Sequence, residues 1–182
     1  MPATFHELVD FFKATGAAGV EHTDGSYLGH CAAVYRDMKR WGFDEELARA
    51  GLFHSIYGTG IFQRFALPIE RRDEVRALAG DWVERLAYLN CAIDYDSFDR
   101  EVLRGAPPYR MTDRFAGEEI DLTEEEFEAL VKIQLVDRLE QVPRSKAFAY
   151  RQLAYRKMAE RLGPKAAEQF DEVWGLEGAS AS

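Results

Sequence analysis

The sequence predicts an all-α fold, in one domain of six to seven helices that spans residues 1–176. Over most of the 182-residue chain, apolar side chains recur every three to four positions, which is the period of an amphipathic helix. Two capping boxes, Thr4 with Glu7 and Thr123 with Glu126, mark helix starts. Glycines and prolines separate the apolar stretches, and the chain is long enough to bury a core.

Four helices are predicted in the N-terminal half, at about 5–15, 27–41, 44–57 and 70–93. Each carries an apolar stripe at helical spacing and has a start or stop signal at its ends. The link between the second and third helices is short, which favours an antiparallel αα-hairpin. The residues that cap or end the first three helices are Thr4, Gly16, Ser26, Gly42, Asp44 and Gly58.

The C-terminal half begins with a loop at 104–122 that is rich in glycine and proline and carries a short predicted β-hairpin near 110–122. Gly163-Pro164 is a stop-and-restart signal between the last two helices. The tail at 177–182 is small and polar, and we expect it to be disordered. The three helices predicted in this half lie at about 124–142, 145–162 and 164–174.

Composition narrows the classes of function. The formal net charge is −9, which argues against nucleic acid or an anionic membrane as a partner, because both require a basic face. No apolar run approaches the length of a membrane span. Cys31 and Cys91 both lie in apolar helical patterns and are expected to be reduced core residues, so we expect a cytoplasmic location.

Two of the four histidines, His30 and His54, are predicted to meet. His30 lies early in one helix of the αα-hairpin and His54 lies late in the other, so antiparallel packing brings them to the same end. Ala50 and Gly51 precede His54 by one helical turn and form a small-residue face that a second helix or a ligand can approach closely. Side by side, two imidazoles are a metal-site geometry. The alternative is a core histidine that hydrogen-bonds internally.

Asp137 is the third candidate ligand. It shares a helical face with Leu130, Ile133 and Gln141, so its carboxylate is expected to point partly inward. A buried ionised carboxylate costs several kcal/mol unless it is paired or binds a metal. A salt bridge to a nearby arginine is the alternative.

These residues resemble the HD-domain metalloenzymes, an all-helical superfamily, and most closely the hydrolase domains of the (p)ppGpp synthetase/hydrolase family. The segment Tyr27-Leu28-Gly29-His30 resembles the approach to that family's first histidine. The gap of 24 residues from His30 to His54 is the family's gap. Leu135-Val136-Asp137-Arg138-Leu139 resembles the segment with its last ligand.

The resemblance covers roughly residues 20–142 and implies an HD-like helical domain. The block Ala-Gly-Leu-Phe-His-Ser-Ile-Tyr-Gly-Thr at 50–59 is more similar still to an uncharacterised domain family with that signature, which supplies no function.

The departures from the HD pattern change the expected chemistry. Ser55 stands where the family has its second metal ligand, an aspartate. Gly58 and Thr59 replace an acidic pair that activates water in the family, and Glu21 and His22 replace a basic pair that meets the guanine nucleotide. Hydrolysis of that nucleotide is therefore not expected. Two imidazoles and one carboxylate remain, which predicts a mononuclear centre.

The resulting metal ligands are His30, His54 and Asp137, which are expected to hold one divalent ion, Fe, Mn or Zn. His22 is a candidate fourth ligand or general base. Three hydroxyl groups are candidates to hydrogen-bond a bound water or a substrate oxygen. They belong to Ser55, Tyr57 and Thr59.

Three functions follow. The first is a metal-dependent hydrolase that acts on a small metabolite through a metal-activated water. The second is an Fe(II)- and O2-dependent oxygenase, which fits the ligand set and the aromatic-rich surroundings. The third is a metal-less small-molecule-binding or regulatory module on a degenerate HD fold. In each case the partner is a small molecule, and a homo-oligomer is an open alternative.

Overall fold

The computed structural model describes residues 3–22, 25–144 and 149–180. Over these residues the chain is mostly helical with a short antiparallel β-hairpin, which confirms the predicted fold class. The helices are α1 (Phe5–Ala14), α2 (Tyr27–Arg40), α3 (Glu45–Leu52), α4 (Arg72–Ala79), α5 (Asp81–Ala92), α6 (Tyr95–Arg104), α7 (Glu124–Gln141), α8 (Gln152–Leu162) and α9 (Pro164–Ser180).

The described residues form nine helices where the sequence predicts six to seven, because two signals act differently from expectation. Gly80 breaks the predicted 70–93 helix into α4 and α5. Its backbone has a φ of 102°, which residues other than glycine rarely adopt. Asp94 starts α6 rather than closing a helix, since its side chain accepts a hydrogen bond from the Ser97 backbone N–H.

The helix predicted at 44–57 also differs. Asp44 caps it as expected, by accepting a hydrogen bond from the Leu47 backbone N–H at 2.8 Å. However, α3 ends at Leu52, and the chain from Phe53 to Tyr57 forms turns. His54 therefore lies just beyond the helix rather than on its face.

At the C-terminal end, α8 begins at Gln152, and residues 145–148 of the helix predicted at 145–162 lie outside the described residues. The last helix, α9, continues to Ser180, so it includes 177–180 of the predicted disordered tail. Glycine costs a helix only about 1 kcal/mol, and no proline follows to end it. Residues 181 and 182 are not described.

Two small antiparallel sheets accompany the helices. The predicted hairpin near 110–122 is present as β3 (Tyr109–Asp113) and β4 (Glu118–Leu122), with Met111 opposite Ile120. Before α2, two-residue strands β1 (Glu21–His22) and β2 (Gly25–Ser26) pair with each other.

The central helix is α7, which contributes to both hydrophobic clusters of the core. Ala129, Ile133 and Val136 belong to a cluster with α1 to α5, whereas Leu130 and Leu135 belong to one with α5, α6, α8, α9 and the hairpin. An apolar side chain is buried on nearly every side of α7, as expected of a helix surrounded by others. Asp137, near the end of α7, faces His30 of α2 and His54 just after α3.

Candidate metal centre

His30 is fixed by the start of α2 and by the close approach of α3. Ser26 caps α2 by accepting a hydrogen bond from the Gly29 backbone N–H at 3.0 Å. A Cβ at Gly51 of α3 would lie only 3.0 Å from Met38 Cγ of α2. The small-residue face therefore receives a neighbouring helix, and His30, which is buried in the first turn of α2, comes level with the end of α3.

His54 is held by hydrogen bonds on both its ring and its backbone. Its Nδ1 lies 2.7 Å from the Gly51 carbonyl oxygen and donates to it, which satisfies a carbonyl at the end of α3. Its own carbonyl accepts a hydrogen bond from Asn90 Nδ2 at 2.7 Å and one from Cys91 Sγ at 3.2 Å. Because Nδ1 carries the proton, the lone pair of His54 is on Nε2.

Asp137 completes a cluster of three potential ligands. Its Oδ1 lies 3.0 Å from His30 Nε2 and 3.4 Å from His54 Nε2, and the two Nε2 atoms are 3.3 Å apart. Donors about 2.0–2.1 Å from one ion lie about 2.9 Å apart when adjacent in an octahedron and about 3.4 Å apart in a tetrahedron. The three side chains are thus near enough to hold one metal ion.

Two further residues of α7 orient this cluster. Glu140 Oε2 lies 2.7 Å from His30 Nδ1 and accepts its proton in a hydrogen bond, and Gln141 Nε2 donates to Asp137 Oδ1 at 2.6 Å. A carboxylate on the second nitrogen of a ligating histidine fixes the ring and raises its basicity. On His54 a backbone group takes the place of such a carboxylate, because the Gly51 carbonyl oxygen accepts the Nδ1 proton.

The pKa values of the two histidines are shifted in opposite directions. Burial disfavours the charged form of His30, but hydrogen bonds to Asp137 and Glu140 outweigh it and raise the pKa of His30 to about 9. Burial lowers the pKa of His54, and the neighbouring charge of His30 acts in the same direction. Burial would raise the pKa of Asp137, but the two histidines hold it well below its usual range. Without a metal, the extra proton therefore resides on His30.

The cluster opens into a cavity of about 560 Å³. This volume is within the range of small-molecule sites. The Asp137 side chain is 18% exposed, whereas each histidine side chain is only 3% exposed. Of the three donor groups, the carboxylate is therefore the one most accessible from the cavity. A ligand in the cavity would therefore reach the position between the three donors.

Two of the three predicted hydroxyl residues line this cavity. The Ser55 hydroxyl is buried and donates a hydrogen bond to the Tyr27 hydroxyl at 3.2 Å. Thr59 Oγ1 accepts a hydrogen bond from the Phe62 backbone N–H at 3.0 Å, and the side chains of Thr59 and Tyr95 share a further hydrogen bond. Both residues shape the wall beside the donors.

Tyr57 and His22 are the remaining predicted site residues. The Tyr57 hydroxyl donates to Glu84 Oε1 at 3.1 Å, and Tyr57 is not among the described residues that line the cavity. The turn after α3 directs the Tyr57 ring towards α5, and the predicted role of Tyr57 at the centre stays a prediction. The His22 backbone forms β1, but its side chain lies outside the described part of the structure, so its role stays a prediction.

Sequence reasoning assigned no supporting role to three polar residues of α7, although it placed Gln141 on the same face as Asp137. Glu140, Gln141 and Gln134 lie one turn or less from Asp137 on α7, and Gln134 also lines the cavity. The available signal was a stripe of polar side chains at intervals of three and four, Gln134, Asp137 and Gln141, along α7. Nothing in the sequence links Asn90, which positions the His54 backbone, to the site.

Part of the chain matches the model of a protein family. Residues 11–95 match the profile of a family described as a domain of unknown function (DUF6817). The matched segment includes His30 and His54 but not Asp137, and it covers less than half of the chain. No curated protein and no solved structure matches the chain. The similarity is thus to a family without an assigned activity.

No described helix combines the length and the apolar character that crossing a bilayer requires.

Proposed function

We propose that this protein is a metal-dependent enzyme that hydrolyses a small metabolite at a mononuclear two-histidine, one-aspartate site. The observation that carries the proposal is the convergence of His30, His54 and Asp137. Their donor atoms lie 3.0 to 3.4 Å apart at the wall of a cavity of about 560 Å³. Ligands from three separate elements meet there with an accessible side left for water and substrate.

The donor set indicates the chemistry. A divalent ion in such a site lowers the pKa of a bound water to about 7 and so supplies a nucleophile at neutral pH. The chain's own residues hold the donors in position, with Glu140 on His30, the Gly51 carbonyl on His54 and Gln141 on Asp137. This arrangement aligns one lone pair of each donor in advance.

The cavity wall favours hydrolysis. Side chains that hydrogen-bond, among them Ser55, Thr59, Gln141 and Tyr95, line it next to the donors. Burial raises the pKa of Tyr95 to about 12, so its hydroxyl stays protonated and can donate to a substrate oxygen. Polar groups of this kind suit an addition to a polarised bond, in which oxygen atoms gain negative charge.

The resemblance to HD-domain enzymes supports a hydrolase on a helical domain, but with one metal ion instead of two. Ser55, which stands where the resemblance places an aspartate as the second metal ligand, hydrogen-bonds to Tyr27 and offers no carboxylate. Asp137 is the one carboxylate that faces both imidazoles within the described residues. We therefore propose a single Zn, Mn or Fe ion as the cofactor.

An Fe(II)- and O2-dependent oxygenase is the second candidate. It is favoured by the donor set itself, since two histidines and one carboxylate leave open positions for substrate and oxygen on iron. Aromatic rings of Phe62, Tyr150 and Tyr155 beside the donors would shield such chemistry from bulk water.

The first experiment measures the metal. We expect protein purified without added metal to contain close to one equivalent of a divalent metal per chain. His54→Ala and Asp137→Asn should each reduce it at least tenfold, while His6→Ala, which alters an exposed histidine of α1, should leave it unchanged. Circular dichroism of each variant checks that the helices persist. Absence of metal from the wild type, and no uptake at micromolar Zn, Mn or Fe, would reject the proposal in favour of a metal-less binding module.

The second experiment separates the two enzymes. A hydrolase releases product from a panel of phosphate esters, amides and lactones when reconstituted with Zn or Mn and without oxygen. An oxygenase consumes oxygen only with Fe(II) and is inactive with Zn. Oxygen consumption coupled to substrate oxidation would replace the hydrolase with the second candidate.

A further inference from the structure

The cavity beside the metal centre differs in charge from the rest of the protein. The whole chain has a formal net charge of −9. Histidines aside, the charged side chains among the described residues that line the cavity are Arg64, Arg138 and Asp137, two positive against one negative. The two arginines come from separate elements, the loop after α3 and helix α7. The cavity is therefore a locally positive pocket in an acidic protein.

Arg138 is the inner cation. It is 8% exposed, follows Asp137 directly on α7, and lies with its guanidinium 5.7 Å from the ring centroids of both Tyr155 and Trp174. A guanidinium is more weakly hydrated than an ammonium, so it can be buried and still bind an oxyanion through two parallel hydrogen bonds. Arg64 is exposed at the cavity mouth, where its charge attracts anions from solution.

Aromatic side chains occupy another part of the cavity wall. Phe62, Tyr95, Tyr150 and Tyr155 all line it. Phe62 is stacked on Tyr27 with ring centroids 5.0 Å apart, and Arg151 packs against Tyr95 at 4.2 Å from its centroid. Two of these rings are thus held in place, as a surface for planar apolar groups requires.

We infer that the cavity binds a small organic anion whose carboxylate or phosphate is held by Arg138 and whose planar body packs on the aromatic wall, with Arg64 guiding its entry. As the identity of the substrate, this inference rests on the proposed function, because the hydrolysed bond must lie next to the metal ligands. As a statement about binding, it depends only on the cavity.

The test uses four commercial probes. Benzoate and phenyl phosphate carry the two anionic groups, benzamide is the neutral analogue of benzoate, and acetate lacks the ring. We expect benzoate or phenyl phosphate to bind at least tenfold more tightly than benzamide and acetate, by calorimetry on the full chain. The stronger of the two anions identifies which group the site takes. If neither benzoate nor phenyl phosphate binds more tightly than benzamide, or if neither binds more tightly than acetate, the inference is overturned.

Substitutions place the binding in this cavity. Arg138→Gln should weaken the binding of the preferred anion at least tenfold and leave the binding of benzamide unchanged. Because Arg138 is buried and its variant can fail to fold, Arg64→Gln gives a second test, with an expected threefold weakening that disappears in high salt. Arg110→Gln, which alters an exposed arginine of the β-hairpin, is the matched control. No change in a folded Arg64→Gln or Arg138→Gln protein would reject the assignment.

The same titrations separate this inference from the proposed function. They are run on the protein as purified, on EDTA-treated protein, and on Asp137→Asn. Anion binding that persists without metal supports the pocket even if no metal enzyme exists. Anion binding that requires metal and is unchanged in the Arg64→Gln and Arg138→Gln variants would support the metal site and reject the role of Arg138 and Arg64.

Discussion

His30 Nδ1 and Glu140 Oε2 lie 2.7 Å apart, and this contact determines which nitrogen of His30 faces the cavity. The two residues are 110 positions apart in sequence, on α2 and α7. His30 Nδ1 keeps its proton and donates it in a hydrogen bond to Glu140, so Nε2 is directed towards His54 and Asp137. Glu140 thereby acts on the proposed metal through an imidazole and not as a ligand itself.

Glu140→Gln should therefore weaken metal binding about 10- to 100-fold, because the amide keeps the shape of the side chain but lacks the charge that makes His30 a stronger donor. Competition titration with a chromogenic chelator measures the change. Glu125→Gln, on the exposed face of the same helix, is the control and should bind metal as the wild type does. An unaltered affinity in Glu140→Gln would show that the carboxylate has no influence on the centre.

The raised pKa of His30 predicts a pH dependence of the metal-free protein. The value is about 9 in the folded state and about 6.5 in the unfolded chain. The contribution of this proton to stability is complete below pH 6.5 and is lost as pH rises through 9, at a cost of up to about 3 kcal/mol. NMR titration of the imidazole gives the pKa directly, and urea unfolding at pH 6.5 and 9 gives the stability.

Metal affinity should rise over the same interval, since an ion must displace the His30 proton. A His30 pKa below 7 in the metal-free protein would contradict the electrostatic interpretation of this site. The control is Glu140→Gln, in which the pKa of His30 should fall because one of its two carboxylate partners loses its charge.

Ser55→Asp introduces a carboxylate next to the donors. Ser55 is 3% exposed, so without metal the new charge should lower the free energy of unfolding by about 2–4 kcal/mol. Zn or Mn should restore the stability, and metal affinity should increase about tenfold. Thermal melts with and without metal make the comparison, with Ser55→Asn as the uncharged control. Failure of metal to rescue Ser55→Asp would mean that its carboxylate does not reach the donors.

Asn90→Leu should destabilise the protein by about 2–4 kcal/mol. Asn90 donates to the His54 carbonyl at 2.7 Å and accepts from Gln134 Nε2 at 2.8 Å, so leucine leaves two buried polar groups with fewer partners. Metal affinity should decline as well, because the His54 backbone loses its support. Urea unfolding is the measurement, and Gln152→Leu, an exposed amide of α8, should change stability by less than about 0.5 kcal/mol. Equal effects of the two substitutions would refute the role of Asn90.

Local signals in the sequence were sufficient for much of the fold. Thr4, Thr123 and Asp44 begin helices where their caps predict, because a side-chain cap involves only residues within one turn. The glycine at position 80 was missed as a break, since a single glycine inside an apolar repeat costs only about 1 kcal/mol and the repeat continues across it.

In the candidate site, too, some features follow from local sequence signals and others do not. Helical spacing predicts that His30 and Asp137 each lie in line with apolar residues on α2 and α7. The direction of Tyr57 and the departure of His54 from α3 do not follow from it. They depend on Glu84, Asn90 and Leu67, whose backbone N–H donates to the Ile56 carbonyl at 2.8 Å.

By itself, the sequence determined an all-α fold, a helical hairpin that brings His30 and His54 to the same end, and a carboxylate among apolar residues on a helix. The tertiary structure alone decided that these three groups meet within 3.0 to 3.4 Å, that Glu140 supports His30, and that Arg138 enters the same cavity. The physical reason is the distance along the chain over which each interaction acts. Caps and periodicity act over one or two turns, whereas side-chain direction at the site is set by hydrogen bonds between residues far apart in the chain.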